Sequence, residues 1–480
     1  MTATRGKGMV MADADPKSEF LQPFVDLMRE RGLSDPAIAS FTLHLNRLRD
    51  GERGTIAEDE IGPVPDLPDA ENLDAHREVG RARLDTVVVI KLNGGLGTSM
   101  GLNRAKSLLP VRGRLSFLDL IARQVLALQE RVGFRIPLVF MNSFRTAADS
   151  ERVLAAYPDL VSEDLALGFL QNRVPKILSD GMAPAEFPDD PELEWCPPGH
   201  GDFYTAIAAS GLLDRLLDAG IEYAFVSNAD NLGAVLDTAI LGFMIAEGAD
   251  FLLEAADRTV ADRKGGHLCR LRNHRLALRE SAQCPPEAET AFQDVSRHRY
   301  FNTNNLWLHL PSLAQLLTAN HGFLPLPTIV NRKTLNPRDP SSPPVFQLET
   351  AMGTAISMFS RAAAIRVPRR RFSPVKNTND LLAIRSDAYE LTEDSRVILH
   401  PDRTTPPVVR LDERFYKLID DFDRRFPAGP PSLRRCSSLV VEGDISFAAG
   451  VVVEEDTVVR SEGAGAKISC GAVIRGEVRI

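Results

Sequence analysis

The stretch from Asp85 to Val111, DTVVVIKLNGGLGTSMGLNRAKSLLPV, constrains the fold of this chain more than any other. Val87-Val88-Val89-Ile90 is a β-branched run of the kind buried on both faces of a parallel sheet. It runs into Asn93-Gly94-Gly95-Leu96-Gly97-Thr98-Ser99-Met100-Gly101, and Lys106 follows. Glycines this close let backbone N–H groups approach an anion. A structural turn and a phosphate cradle both use such a loop, and the strand ahead and the lysine behind favour the cradle. A Walker A loop needs a lysine directly after its last glycine, and Leu102 stands there. A dinucleotide fingerprint needs G-x-G-x-x-G, but Gly95, Gly97 and Gly101 are spaced one residue too far. A nucleotidyltransferase loop, with its lysine after the glycines, remains.

Downstream, strands and helices alternate. Strands are predicted at 136–141, 167–171 and 223–226, and helices at 117–131, 147–156 and 206–217. This alternation predicts a doubly wound, mostly parallel, Rossmann-like α/β sheet. Such sheets bind ligands beyond the carboxyl ends of their strands. Asn93-Gly94, Asn142-Ser143, Gln171-Asn172 and Asn228–Asp230 all fall there. Ahead of this region, residues 1–18 read as a disordered tail. Apolar spacing from Phe20 to Leu48 predicts two helices, divided by Gly32 and Pro36.

The period changes at the end of the chain. Val441, Phe447, Val453 and Val459 lie six apart, and Ile468, Ile474 and Ile480 resume the spacing. Period six with an aliphatic at each start is the hexapeptide signature of a parallel β-helix. The predicted organisation is therefore an N-terminal tail and helical segment (1–84), a catalytic domain (85–399), a linker helix (400–432) and a β-helix domain (433–480).

Bulk properties exclude several classes. A net charge of −9 argues against a nucleic-acid-coating protein. No apolar run is long enough for a membrane span, and the first residues lack the apolar core of a signal peptide. Five scattered cysteines without a C-x-x-C pair fit a reducing cytoplasm.

Several polar stretches could carry chemistry. His200, in Pro197-Pro198-Gly199-His200-Gly201-Asp202, either donates to a base or phosphate or belongs to a turn in which Asp202 caps a helix. Asp230, between Asn228 and Asn231, suits either Mg²⁺ or a solvated turn. Asn302, Asn304 and Asn305 suit either sugar hydroxyls or a turn. Glu349 is expected to open a helix, touching a sugar or the helix dipole. Lys376, beyond a run of arginines, is a candidate second phosphate ligand.

Taken together, KLNGGLGTSMG with Lys106, PLVFMNSF, QNRVPKI, PPGHGD, FVSNADN, KGG at 264–266, FNTNNLW, QLETAMG and PVKNTNDLL resemble the eukaryotic-type UTP–glucose-1-phosphate uridylyltransferases, or UDP-glucose pyrophosphorylases. They run in that family's order, and the β-helix tail, left-handed in the family, matches too. The resemblance implies that UTP and glucose-1-phosphate give UDP-glucose and pyrophosphate, reversibly and with Mg²⁺. It implies that Leu92, Asn93, Gly94 and Gly95 hold UTP, that Gln171 and Gly199 contact uracil, and that Lys106 and Lys376 act at the phosphates. It places His200, Asn228 and the Asn302–Asn305 loop at glucose-1-phosphate, with Glu349 as a further sugar contact, and makes Asp230 the Mg²⁺ ligand. A homo-oligomer through the tail is a further expectation. Ala105, Asn172, Ala229 and His267 depart from the family pattern without removing a ligand. Alternatives are another sugar-1-phosphate, or a UTP-binding scaffold without turnover.

Overall fold

A computed structural model describes residues 16–480 apart from 53, 103, 163, 260, 261 and 464. At the centre is a ten-stranded sheet. Seven of its strands position the site: β1 (Val87–Asn93), β2 (Leu138–Asn142), β3 (Gly168–Leu170), β4 (Tyr223–Asn228), β5 (Phe251–Asp257), β6 (Tyr300–His309) and β7 (Ala362–Arg366). They lie in the order β3-β2-β1-β4-β6-β5-β7. All pairings are parallel except those of β6, which runs antiparallel to β4 and β5. The expected mostly parallel sheet is therefore present. Parallel neighbours place the ends of β1–β4 along one edge.

Strand alternation divides the core between the two faces. Val87 and Val89 pack with Phe117, Leu120 and Ile121 of helix Phe117–Val132. Val88 and Ile90 pack with Phe203 and Ile207 of helix Phe203–Ala209, and with Leu213 and Leu216 of helix Leu212–Asp218. One helix was expected over 206–217; Gly211, at φ +68, divides it. Helix Phe117–Val132 starts at a capping box, with Ser116 accepting from Asp119 N and Asp119 from Ser116 N.

The two N-terminal helices are Pro16–Glu30 and Asp35–Arg49, so the predicted tail ends before residue 16 and its first fifteen residues lie outside the described part. Phe24, Met28, Phe41 and Leu45 pack on Val174, Ile177, Trp195 and Leu348, beside the segments that reach the sheet edge.

The tail contains β9 (Ser432–Glu442), β10 (Val452–Arg460) and β11 (Val473–Arg479), paired in parallel, with β8 (Val408–Leu411) added at the edge. Ile445–Phe447 and Ala466–Ile468 form a second parallel pair. The residues spaced six apart stack: Val441 lies opposite Val459, Phe447 opposite Ile468 and Val453 opposite Ile474. These are buried, but Ile480 is 46% exposed, so the last aliphatic is not core. The predicted linker helix is instead β8 and two short helices, Glu413–Tyr416 and Ile419–Arg425. Tyr416, Phe422, Phe426 and Phe447 join the tail to the sheet's own core. Each such buried aromatic contributes about 1.5–3 kcal/mol. Asp387 fixes the junction by accepting from Leu433 N, Arg434 N and Ser432 Oγ. Among the described residues no helix is long and apolar enough to cross a membrane.

Candidate functional site

A cleft of about 290 Å³ opens at the carboxyl ends of the strands. Leu92, Asn93, Gly94, Gly95, Lys106, Gln171, Gly199, His200, Asn228 and Asp230 line it, joined by Ser107, Met141, Pro197 and Ala229, to which sequence reading gave no role in binding. Ten of the expected site residues are thus brought together by three strand ends and two loops.

The glycine-rich loop folds back on itself. Leu102 N donates to Gly97 O, and Lys106 N donates to Gly95 O at 3.0 Å, which returns Lys106 to the strand end. Asn93 is 3% exposed and fully engaged. Its Nδ2 donates to Asn142 Oδ1 and Ser150 Oγ, both at 2.7 Å, and its Oδ1 accepts from Ser107 Oγ at 2.5 Å. The Asn93 side chain therefore ties the ends of β1 and β2 together. Two other glycines are required by close approach. A Cβ on Gly94 would lie 2.9 Å from both end atoms of the Gln171 side chain. A Cβ on Gly199, at φ +81, would lie 2.5 Å from Thr350 O.

His200 Nδ1 accepts from Met352 N at 2.9 Å, which leaves the ring proton on Nε2. Burial pushes its pKa down to about 4, so near neutral pH the ring is an uncharged donor in the cleft. Opposite, Lys106 Nζ pairs with Asp230 Oδ2 at 2.6 Å, the side chains 15% and 22% exposed. Beneath this loop lies Lys91, whose Nζ donates to Ser227 Oγ and Ala234 O, each at 2.7 Å. Burial pulls Lys91 down to about 7.

The remaining expected residues lie around the cleft rather than in its lining. Lys376 is exposed, its Nζ 5.7 Å from the centre of the Phe301 ring. Its neighbour Val375 donates its N–H to Asp230 O at 3.2 Å, and Asp380 Oδ2 accepts from Lys376 N at 2.7 Å. Asn304 Nδ2 donates to Asn228 Oδ1 at 2.9 Å, while Asn304 Oδ1 is buried without a partner among the described residues. Asn302 Oδ1 accepts from Asn304 N, and Asn302 Nδ2 points to Glu280 Oε1 at 3.5 Å. Glu280, missed at sequence level, has its carboxyl pushed up by burial, offset by Asn302 and Lys376.

Four expectations need correction. Asn302–Asn305 is not a turn or loop but part of β6, where the register with β5 shifts and Asn304 takes φ +59. Alternating amides read as a turn because no single sequence shows the bulge. Asn305 is 0% exposed, its Nδ2 donating to Glu254 Oε2 at 3.0 Å, so it braces the sheet interior. Glu349 does not open a helix; it ends strand Pro344–Glu349, which pairs along Ile329–Thr334. Asp202 does not cap helix Phe203–Ala209; its carboxylate accepts from Asn172 instead.

Among the described residues, no three His, Cys, Asp or Glu side chains converge to hold a metal unaided. Asp230 is the one carboxylate in the lining, at a strand end and partly open. One carboxylate completed by phosphate oxygens and water is the donor set Mg²⁺ accepts.

A family model described as UTP–glucose-1-phosphate uridylyltransferase matches residues 39–454. The chain is similar to the UTP–glucose-1-phosphate uridylyltransferase of Hordeum vulgare, at 38% identity over 474 residues, covering 96% of each chain. Among solved structures it is similar to the UDP-glucose phosphorylase of Trypanosoma brucei, with 42% identity and a TM-score of 0.89, covering 96% of this chain and 100% of that one. It is also similar to a mutant of the UDP-glucose pyrophosphorylase of Leishmania major in complex with UDP-glucose. There the identity is 41% and the TM-score 0.90, covering 96% of this chain and 99% of that one.

Proposed function

The chain belongs to the UTP–glucose-1-phosphate uridylyltransferase family, and from that membership we propose that its cleft makes UDP-glucose and pyrophosphate from UTP and glucose-1-phosphate. The observation that carries this reading is the arrangement of the cleft. Gly94 and Gln171, packed against each other, line one part of the cleft, and the glycine-rich loop with the Lys106–Asp230 pair lines the rest.

In this reading Gln171 and Gly199 meet the uracil, and the backbone of Leu92–Gly95 follows the nucleotide. A glucose-1-phosphate oxygen attacks the α-phosphorus in line as the bond to pyrophosphate breaks. No protein nucleophile is needed, so catalysis is positioning and charge stabilisation. Lys106 exchanges Asp230 for the departing pyrophosphate, and Lys376 approaches the reacting phosphates from the Val375 side. His200 donates from Nε2 without adding charge. Asn228 and Asn304 present amides to the sugar phosphate, with Asn302 behind them. Asp230 would hold Mg²⁺, which supplies charge neutralisation at the phosphate oxygens.

The tail is read here as a left-handed parallel β-helix, supported by the stacking of Val441 on Val459 and Phe447 on Ile468. Val473 and Ile480, 61% and 46% exposed, support a role for it in self-association. The unpaired cysteines support a cytoplasmic setting. The test is pyrophosphate release from UTP, Mg²⁺ and a panel of sugar-1-phosphates. Glucose-1-phosphate should be the preferred acceptor; absence of release with every sugar would refute the proposal.

A further inference from the structure

Asp202 is a buried carboxylate that the chemistry above does not use. It is 8% exposed and opens helix Phe203–Ala209 without capping it. Both its oxygens are committed to one residue: Asn172 N donates to Oδ2 at 2.6 Å and Asn172 Nδ2 to Oδ1 at 2.8 Å. Asn172 follows Gln171, whose own N–H donates to Asn142 O at 2.8 Å. The backbone around Gln171 is therefore pinned on both sides, to the end of β2 and to Asp202. Between the pins, the Gln171 side chain lies against Gly94, where any larger residue would collide with it.

We infer that Asp202 is a positioning residue for base recognition, holding Gln171 in register with Gly94 through its clamp on Asn172. The inference rests on the reading of this cleft as a UTP site.

The clamp carries a cost that a purely structural residue would not need. Burial pushes the Asp202 carboxyl up to about 6, and the two Asn172 donors pull only partly against it. Near neutral pH the fold holds a poorly solvated charge that caps no helix and pairs with no cation among the described residues. An amide there would be easier to bury. Stability alone therefore favours asparagine, whereas aiming two acceptors at Asn172 requires the carboxylate. Asn172 has two donors facing Asp202, its own N–H and its Nδ2, and an Asp202→Asn amide can accept from only one.

Asp202→Asn isolates this role, and the reciprocal pair Asp202→Asn with Asn172→Asp restores both hydrogen bonds, the backbone N–H of residue 172 still donating and the side-chain bond reversed. UTP affinity of the full chain is read by calorimetry, alongside KM for each substrate and the thermal midpoint. Asp202→Asn should weaken UTP binding about ten-fold, the effect of losing one charge-assisted hydrogen bond. It should move the glucose-1-phosphate KM less than about two-fold and leave the midpoint unchanged or higher. The reciprocal pair should recover most of the UTP affinity. Unaltered UTP affinity in Asp202→Asn, or a loss the reciprocal pair does not repair, would overturn the positioning role alone. Wild-type protein that binds no UTP in the same titration would overturn the reading of the cleft, and this role with it.

Discussion

Glu254→Gln should lower both stability and turnover, although Glu254 lies outside the cleft lining. Its carboxylate is 0% exposed on β5. It accepts from Arg371 Nε at 2.9 Å and Nη2 at 2.6 Å, from Trp307 Nε1 at 2.9 Å and from Asn305 Nδ2 at 3.0 Å. Arg371 is 6% exposed, so a neutral amide at 254 strands a buried guanidinium. Breaking one side of such a pair costs about 3–5 kcal/mol. A chain of 480 residues unfolds with an entropy of about 1 kcal/mol/K at roughly 2.1 cal/mol/K per residue, so the midpoint should fall about 3–5 °C. The damage should also reach Lys376. Arg371 O accepts from Asn231 Nδ2, Asn231 Oδ1 accepts from Ser373 N, and Val375 N bonds to Asp230 O. Loosening Arg371 frees the segment that positions Lys376 beside Asp230. A misplacement near 1 Å is enough to cost about 10²-fold in turnover. Differential scanning calorimetry and initial rates of pyrophosphate release measure the two effects. A midpoint within about 1 °C of wild type together with full turnover would refute the claim that this buried pair supports the site.

Lys106→Ala and Lys376→Ala should each lower turnover by about 10²–10³ while the midpoint holds, the cost of removing one electrostatic donor; near wild-type turnover would remove that lysine from the mechanism. Asp230→Ala should abolish Mg²⁺-dependent turnover and leave a folded protein, as read by circular dichroism; unfolding would instead mark the Lys106–Asp230 pair as structural. Acid should expose the neutral histidines. His44, 5% exposed, is pushed down to about 4 by burial, with Arg47 acting in the same direction. The unfolded chain takes up this proton first, so the stabilisation is full above pH 6.5 and lost as pH falls towards 4, up to about 3 kcal/mol. Asp202 works in the opposite sense, its raised carboxyl favouring the fold as pH falls from 6 towards 3.8, so the readout is the difference between wild type and His44→Gln. Parallel stability curves for the two proteins over that range would contradict this assignment.

The parts of the site legible in the sequence were those written into contiguous stretches. Val87–Ile90 announces a buried strand because four apolar β-branched residues in a row have few other uses. Gly94, Lys106, Asn228 and Asp230 follow from where such strands end. The illegible parts depend on partners distant in sequence. Glu254 and Arg371 look like ordinary surface charges until the fold brings β5 beneath the arginine run. Lys91 reads as a break in an apolar strand, not as a buried brace. Asn302–Asn305 looks like a turn because the two extra residues, Thr303 and Asn304, are a property of the pairing with β5. Asp202 presents as a helix cap because capping is local, whereas its clamp on Asn172 is tertiary.

The junction through Tyr416, Phe422, Phe426 and Phe447 also bears on how the chain is made. A ribosome emits the sheet first and the tail afterwards, yet both contribute to one apolar core. Until residues 433–474 have emerged, Tyr416 lacks its partner Ile445 and Phe426 the Phe447 ring it stacks on. The nascent sheet can form its strands but cannot close its core on that side, and it waits with an adhesive face towards solvent. A lesion in the tail, such as the loss of Phe447, should therefore surface as chaperone dependence and low yield of the whole protein rather than as a local defect at the tail.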